Sequence, residues 1–257
     1  MMIETHCHLD YLKAEPLEDI LNKIKDAGIT KVVTIGVDPL NLDKVMELSN
    51  AYEQIYFTQG IHPHDAKEAT DVEYNKIITR STMKKMVAVG EIGLDYHYNN
   101  SPADIQKEAF EKQLQIACDS DLPVVIHTRE ADEDTKAILK NFSNTLKRKG
   151  VIHSFTASLE LAEFVLSEGF HIGFNGIITF KKAENVQEVV KITPAERILF
   201  ETDSPFLTPV PHRGKENAPF YLPFVAAKIA ELKGLDLEEL KKQVYQNSLQ
   251  CFFKLKD

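Results

Sequence analysis

The chain is poor in cysteine. Its three thiols, Cys7, Cys118 and Cys251, are an odd number at wide spacing. That pattern gives no disulfide framework and no thiolate zinc site, and it fits a reducing, cytoplasmic setting. Basic residues are also in deficit: 30 Lys and Arg against 39 Asp and Glu give a formal net charge of −9. A protein that coats nucleic acid carries a basic footprint, so stable wrapping of a long duplex is not expected. Bound cations can still supply positive charge at one site. No apolar run is long enough to span a bilayer, and no basic-then-apolar leader is present, so neither membrane contact nor export is expected. There is no Ser/Gly-rich linker, no low-complexity block and no Gly-x-Gly-x-x-Gly after the first strand. Nothing points to a stable protein partner.

What is present is a regular alternation of strand and helix patterns over 257 residues, 43% of them hydrophobic. Short β-type runs fall at 2–6, 31–36, 55–60, 86–91, 122–127, 150–153, 171–176 and 198–203. Val32-Val33 and Val124-Val125-Ile126 are typical of buried parallel strands. Between them, Leu17, Ile20, Leu21, Ile24 and Ala27 keep helical spacing. Residues 105–120, 158–168 and 219–233 show similar faces, and Gly28, Gly150, Gly169 and Gly234 fall where helices should stop. Eight such units predict a TIM-type (β/α)₈ barrel, a single domain over 1–257. A doubly wound sheet is the runner-up.

The polar residues collect at strand ends. The first strand runs into Thr5-His6-Cys7-His8-Leu9-Asp10. In extended backbone, alternate side chains share a face, so His6 and His8 aim at one point and Cys7 turns away. The third, fourth, fifth, sixth and eighth strands run into His62-Pro63-His64, Glu91, His127-Thr128-Arg129, His153 and Glu201-Thr202-Asp203. In a parallel barrel these ends meet on the face that carries active sites. Nitrogen and oxygen donors without thiolate suit Zn²⁺, Mn²⁺ or, with more carboxylate and water, Mg²⁺. His6, His8, Glu91, His127, His153 and Asp203 exceed the needs of one tetrahedral ion. Two ions sharing a carboxylate would use them all.

These stretches, taken in order with Gly90-Glu91-Ile92-Gly93-Leu94-Asp95-Tyr96, His153-Ser154-Phe155, Ser204-Pro205 and His212-Arg213-Gly214-Lys215, resemble the TatD family of metal-dependent deoxyribonucleases in the amidohydrolase superfamily. The resemblance spans essentially the whole chain. It departs at Ala157, where the family often has Gly, and at Ala218, where it commonly has Glu; the latter bears on substrate contacts. The resemblance implies two divalent ions (Mg²⁺, Mn²⁺ or Zn²⁺). His6, His8 and Asp203 would hold one, His127 and His153 the other, and Glu91 would bridge them in place of the carboxylated lysine of many superfamily relatives. It also implies a cytoplasmic exonuclease acting on single-stranded or damaged DNA ends.

Several roles have two readings. Asp203 would accept the proton of an activated water. Glu201 either assists it or is a buried partner of a ligand histidine. His62 and His64 either contact a substrate phosphate or donate a proton, or else cap the barrel rim, with function favoured for His62. Arg129 pairs a phosphate with its planar fork or an acid in a loop. Arg213 and Lys215 form a phosphate clamp or are solvated loop charges. Asp95 reads as fixing the loop after the fourth strand. His97 and His171 read as exposed or packed, Cys7 as a small buried apolar group, and Ser204 lacks a nucleophile-elbow context. A competing enzyme reading is hydrolysis of a small amide, lactone or phosphoester by the same centre. A non-catalytic scaffold would need no such ligand set.

Overall fold

The computed structural model describes residues 1–256. Its eight strands are Met2–Cys7 (β1), Ile29–Gly36 (β2), Ile55–Gln59 (β3), Met86–Asp95 (β4), Val124–Arg129 (β5), Gly150–Ile152 (β6), His171–Phe174 (β7) and Ile198–Phe200 (β8). All pair in parallel, in the order β1 to β8. Consecutive order around one sheet is that of a TIM barrel and excludes the doubly wound alternative, whose order reverses at a switch point. The helices are Leu17–Asp26 (α1), Leu42–Ala51 (α2), Asp71–Arg80 (α3), Ala103–Asp119 (α4), Asp132–Asn141 (α5), Leu159–Ser167 (α6), Glu184–Ile192 (α7), Leu222–Lys233 (α8) and Leu237–Cys251 (α9). None of the described helices is long and apolar enough to cross a membrane.

Period-two alternation sorts strand side chains into two cores. Val32, Val124, Ile126, Ile152, Ile198 and Phe200 pack outward with helix residues such as Leu21, Ile24 and Phe110. Val33, Ile35, Val125, Val151 and Leu199 form the second cluster, together with Phe252 and Leu255 from the segment after α9. The C-terminal segment thus closes the floor of the barrel, opposite the strand ends that carry the polar residues. The same parity carries His127 inward after Val125, His153 after Val151, and Glu201 and Asp203 after Leu199.

The joint between β8 and β1 is made by side chains and backbone together. Thr5 Oγ1 donates to Phe200 O at 2.7 Å. The buried carboxyl of Glu4 accepts from Thr202 N and His6 N, each at 3.0 Å. Asp203 N donates to His6 O at 2.9 Å. The strand bearing His6 is thereby tied to the segment bearing Asp203.

Strand limits differ from the expected ones for local reasons. β6 and β8 stop short of their ligand residues because Ser154 (φ 45°) and Asp203 (φ 55°) leave the extended region. β4 runs four residues past Glu91 and pairs with β5 as far as Asp95 opposite Arg129. Gly150 opens β6 and does not end a helix; α5 has already stopped at Asn141. Gly234 does cap α8, in the left-handed region.

Candidate metal centre

Glu91 is the hub of the polar cluster, and a register shift puts it there. Against β5, Gly90 pairs with Val125 and Ile92 with Ile126, so Glu91 is an extra residue in its strand. Such bulges re-aim a side chain and are common beside active sites. The chain at Gly60 passes so close that a Cβ there would lie 2.6 Å from Gly90 C and 2.7 Å from Glu91 O. Only glycine fits beside the bulge.

The two oxygens of Glu91 face two groups of ligands. Oε2 lies 3.4 Å from His6 Nε2. Oε1 lies 2.7 Å from His153 Nε2, 3.2 Å from His127 Nδ1 and 3.4 Å from His62 Nε2. On the first side, Asp203 Oδ1 is 3.7 Å from His6 Nε2 and 3.5 Å from His8 Nε2. The His6 and His153 rings stack in parallel, 3.9 Å between centroids. Cys7, between the two β1 histidines, is fully buried in the outer core.

His127 and His153 on the second side each have a carboxylate behind them, hydrogen-bonded for His127 and only within ion-pair distance for His153. His127 Nε2 lies 2.9 Å from Asp95 Oδ2, which also lies 3.1 Å from His64 Nε2. His153 Nδ1 faces Glu201 Oε1 at 3.7 Å, and that oxygen accepts from Ser154 N at 2.6 Å. Glu201 is fully buried; a Cβ on Gly173 would sit 2.3 Å from its Oε2. Glu201 therefore backs His153 and does not reach the cavity. His62 differs again. Its Nδ1 accepts from His64 N at 3.2 Å, so the neutral ring carries its proton on Nε2, the nitrogen aimed at Glu91. In that tautomer His62 is a donor and not a ligand, even though it lies in one cluster with Glu91 and His127.

The electrostatics fit a cation site. Burial opposes charge on Glu91, yet His153, His62 and hydrogen bonds from His127 and His153 hold its carboxyl well below the usual range. Burial also opposes charge on Asp203, and the hydrogen bond from His8 with the nearby His6 and His153 outweighs it. Burial holds His62 neutral, its pKa lowered to about 4. His153 is raised well above its ordinary value: burial alone would lower it, but Glu91 and Glu201 prevail. Acidic surroundings that bind a proton tightly also favour a metal cation. His6 Nε2, the nitrogen that faces Glu91 and Asp203, is buried without a hydrogen-bond partner, a cost that a bound ion would remove. His6, His8 and Asp203 place one ligand atom each within 4.8 Å of one another. These residues fit a metal; the set His6, His153 and Glu201 is equally compact, but there Glu201 serves His153 from behind.

The cluster floors a cavity of about 660 Å³. His8, His62, His64, Glu91, His127, His153, Asp203 and Arg129 line it, and Tyr98 and Phe206 stand on its rim. Arg213 does not line it. Its guanidinium lies over the Phe180 ring at 3.8 Å and donates to Thr208 O at 3.2 Å. His97 pairs with Glu130 at 2.7 Å, and His171 is buried in the barrel wall; neither joins the centre. From the sequence alone Asp95 reads only as a loop anchor, and Glu4, Tyr98 and Phe206 carry no signal. Asp95 keeps the parity of Glu91, so carrying the fourth strand four residues further places it on the inward face.

Comparison with known proteins places this geometry. A family model described as TatD related DNase matches residues 3–253. The chain is 40% identical to an uncharacterized metal-dependent hydrolase, YabD, of Bacillus subtilis, over 98% of this chain and 99% of that one. It is 32% identical to a 3′-5′ ssDNA/RNA exonuclease TatD of Pantoea ananatis, over 93% and 94% of the two chains. It is 33% identical to deoxyribonuclease Tat-D of Schizosaccharomyces pombe, over 93% and 88%. The crystal structure of YjjV, a TatD homologue of Escherichia coli, superposes with a TM-score of 0.91 at 30% identity, covering 98% of both chains.

Proposed function

The chain belongs to the TatD family of DNase-related, metal-dependent hydrolases, and on that premise we propose that it trims DNA ends by hydrolysing phosphodiester bonds at a centre of two divalent ions. One observation carries the reading: the oxygens of a single buried carboxylate, Glu91, face His6 on one side and His127 with His153 on the other. His6, His8 and Asp203 would hold one ion, His127 and His153 the second, with Glu91 between. When bound, such a pair supplies Lewis acidity towards a phosphoryl oxygen and lowers the pKa of a shared water.

The protein's own groups do the rest. Asp203 is ionised at neutral pH because His8 and His6 hold its carboxyl low, so it can take a proton from the attacking water. His62 presents a proton-bearing Nε2 in the cavity and stays neutral because it is buried; it donates to a phosphoryl or leaving oxygen. Asp95 and Glu201 orient His127 and His153. Arg129 lines the same cavity, its guanidinium over the Tyr98 ring at 4.9 Å. The net charge of −9 suits action on a single-stranded or frayed end better than wrapping of duplex. Buried or half-buried free thiols are consistent with a cytoplasmic setting.

The test is metal content and cleavage products measured on one purified sample. The wild-type chain should carry about two ions and release mononucleotides from labelled single strands with Mg²⁺, Mn²⁺ or Zn²⁺. Replacing His6 and His8 together should remove one ion and leave the other. Turnover of a small amide or lactone with no cleavage of any oligonucleotide would transfer the same centre to the competing reading.

A further inference from the structure

Three aromatic side chains are exposed among the described residues: Tyr98, Phe206 and Phe224. Phe224 packs against the His212 ring, 4.7 Å away, and does not line the cavity. The other two stand on the rim of the cavity above Glu91. Tyr98 is 57% exposed and Phe206 53%. Exposing that much aromatic surface forgoes the burial that normally stabilises such side chains, and here it happens twice at the mouth of one site.

Their positions are ordered. Phe206 follows β8 and contacts His8, from the end of β1, at 6.1 Å with rings 69° apart. Tyr98 follows β4 and contacts His64 at 5.4 Å. The guanidinium of Arg129, the last residue of β5, lies over the Tyr98 ring at 4.9 Å. In a barrel ordered β1 to β8, the β8/β1 and β4/β5 positions face each other across the mouth. One aromatic therefore adjoins the His6–His8–Asp203 group, and the other adjoins the group backed by Asp95.

Charge narrows what these rings can bind. Beyond Thr156, the next groove is lined by Glu130, Asp132, Glu133, Asp134 and Glu188. A phosphate backbone cannot follow that wall, and a net charge of −9 gives it little general attraction. Grip on a nucleic acid strand outside the ions must come mainly from its bases. Aromatic platforms supply it whatever the base, because every base has a π-face.

Resting on the nuclease reading above, we propose that Phe206 and Tyr98 are stacking platforms for the two bases that flank the scissile phosphate, with Arg129 stiffening the Tyr98 side. A strand seated this way is held by two unstacked bases, which an intact duplex does not offer. The platforms thus select single-stranded ends at the binding step.

The experiment compares metal-loaded wild type, Phe206→Ala and Tyr98→Ala on two single strands. One is an ordinary oligonucleotide; the other lacks the bases of the last two nucleotides at the trimmed end. The wild type should favour the base-bearing strand in kcat/KM. Each alanine variant should cut that preference about tenfold, mostly through KM, and Phe206→Tyr and Tyr98→Phe should keep it. The ratio of two substrates on one protein is insensitive to partial misfolding. A preference unchanged in both alanine variants overturns the proposal while leaving the nuclease reading intact. Failure of the wild type to cut either strand overturns the nuclease reading itself, and the platforms with it.

Discussion

His127 donates from Nε2 to Asp95 Oδ2 at 2.9 Å, so Nδ1 is the nitrogen left to face Glu91. Hydrogen bonds from His127 and His64 overcome the burial of Asp95 and hold its carboxyl well below the usual range. A fixed carboxylate behind an imidazole sets the tautomer and raises the basicity of the ligand nitrogen. Asp95→Asn should weaken metal binding on the His127 side by about 10- to 100-fold. A chelator competition should show it, with the His6–His8–Asp203 side close to its wild-type affinity. Equal loss at both sides would mean that Asp95 holds the whole mouth together and does not act through one ring.

Asp203→Asn keeps the shape of the side chain and removes the base. Hydrolysis should fall by about 10²- to 10⁴-fold, while circular dichroism and thermal unfolding stay near wild type. Retention of full activity would show that another group takes the proton of the attacking water.

How much of this was legible in the sequence depends on the residue. His6, His8, His127 and His153 stood out because an imidazole or a pair of them at the end of an apolar strand is visible without knowing its neighbours. Glu91 was visible as a residue, but its aim was not: the bulge exists only in relation to β5. Ending the fourth strand at Glu91 left Asp95 in a supposed loop, and so its bond to His127 went unseen. Glu201 reads as inward-facing by parity, but the depth that places it under His153, short of the cavity, is tertiary. Arg213 sits in a loop of suitable composition, and nothing local reveals Phe180, 33 positions earlier, beneath its guanidinium. The barrel itself was legible because eight β/α units and one parity rule suffice to define it.

His171 offers a pH test remote from the centre. Burial, with Arg197 nearby, lowers its pKa to about 4, against an ordinary value of 6.5. Above pH 6.5 the ring is neutral in both folded and unfolded chains and costs nothing. As pH falls below that, the unfolded chain takes the proton first, and stability drops until about pH 4. The difference amounts to about 3 kcal/mol. Urea unfolding of wild type and His171→Gln at a series of pH values should show the variant losing less stability across this window. Parallel curves would show that His171 is protonated while folded.

Phe252 is fully buried where the segment after α9 closes the barrel floor against Val33, Val125 and Leu199. Phe252→Ala should cost about 3–5 kcal/mol, the usual range for a large core cavity, read as a lowered denaturation midpoint. Because the floor lies opposite the proposed metal ligands, the metal affinity of the variant that remains folded should be close to that of wild type.

The seam closed by Glu4 has a temporal side. It joins residue 4 to residue 202, and across it His6 and His8 meet Asp203, made about two hundred residues later. Throughout that interval a chain still being synthesised holds the histidines without their acidic counterpart. Loop-closure entropy makes a contact of such separation a late one. The cluster is therefore withheld from fragments: a truncated product that stops before the eighth strand lacks Asp203 and the seam that holds it to His6 and His8.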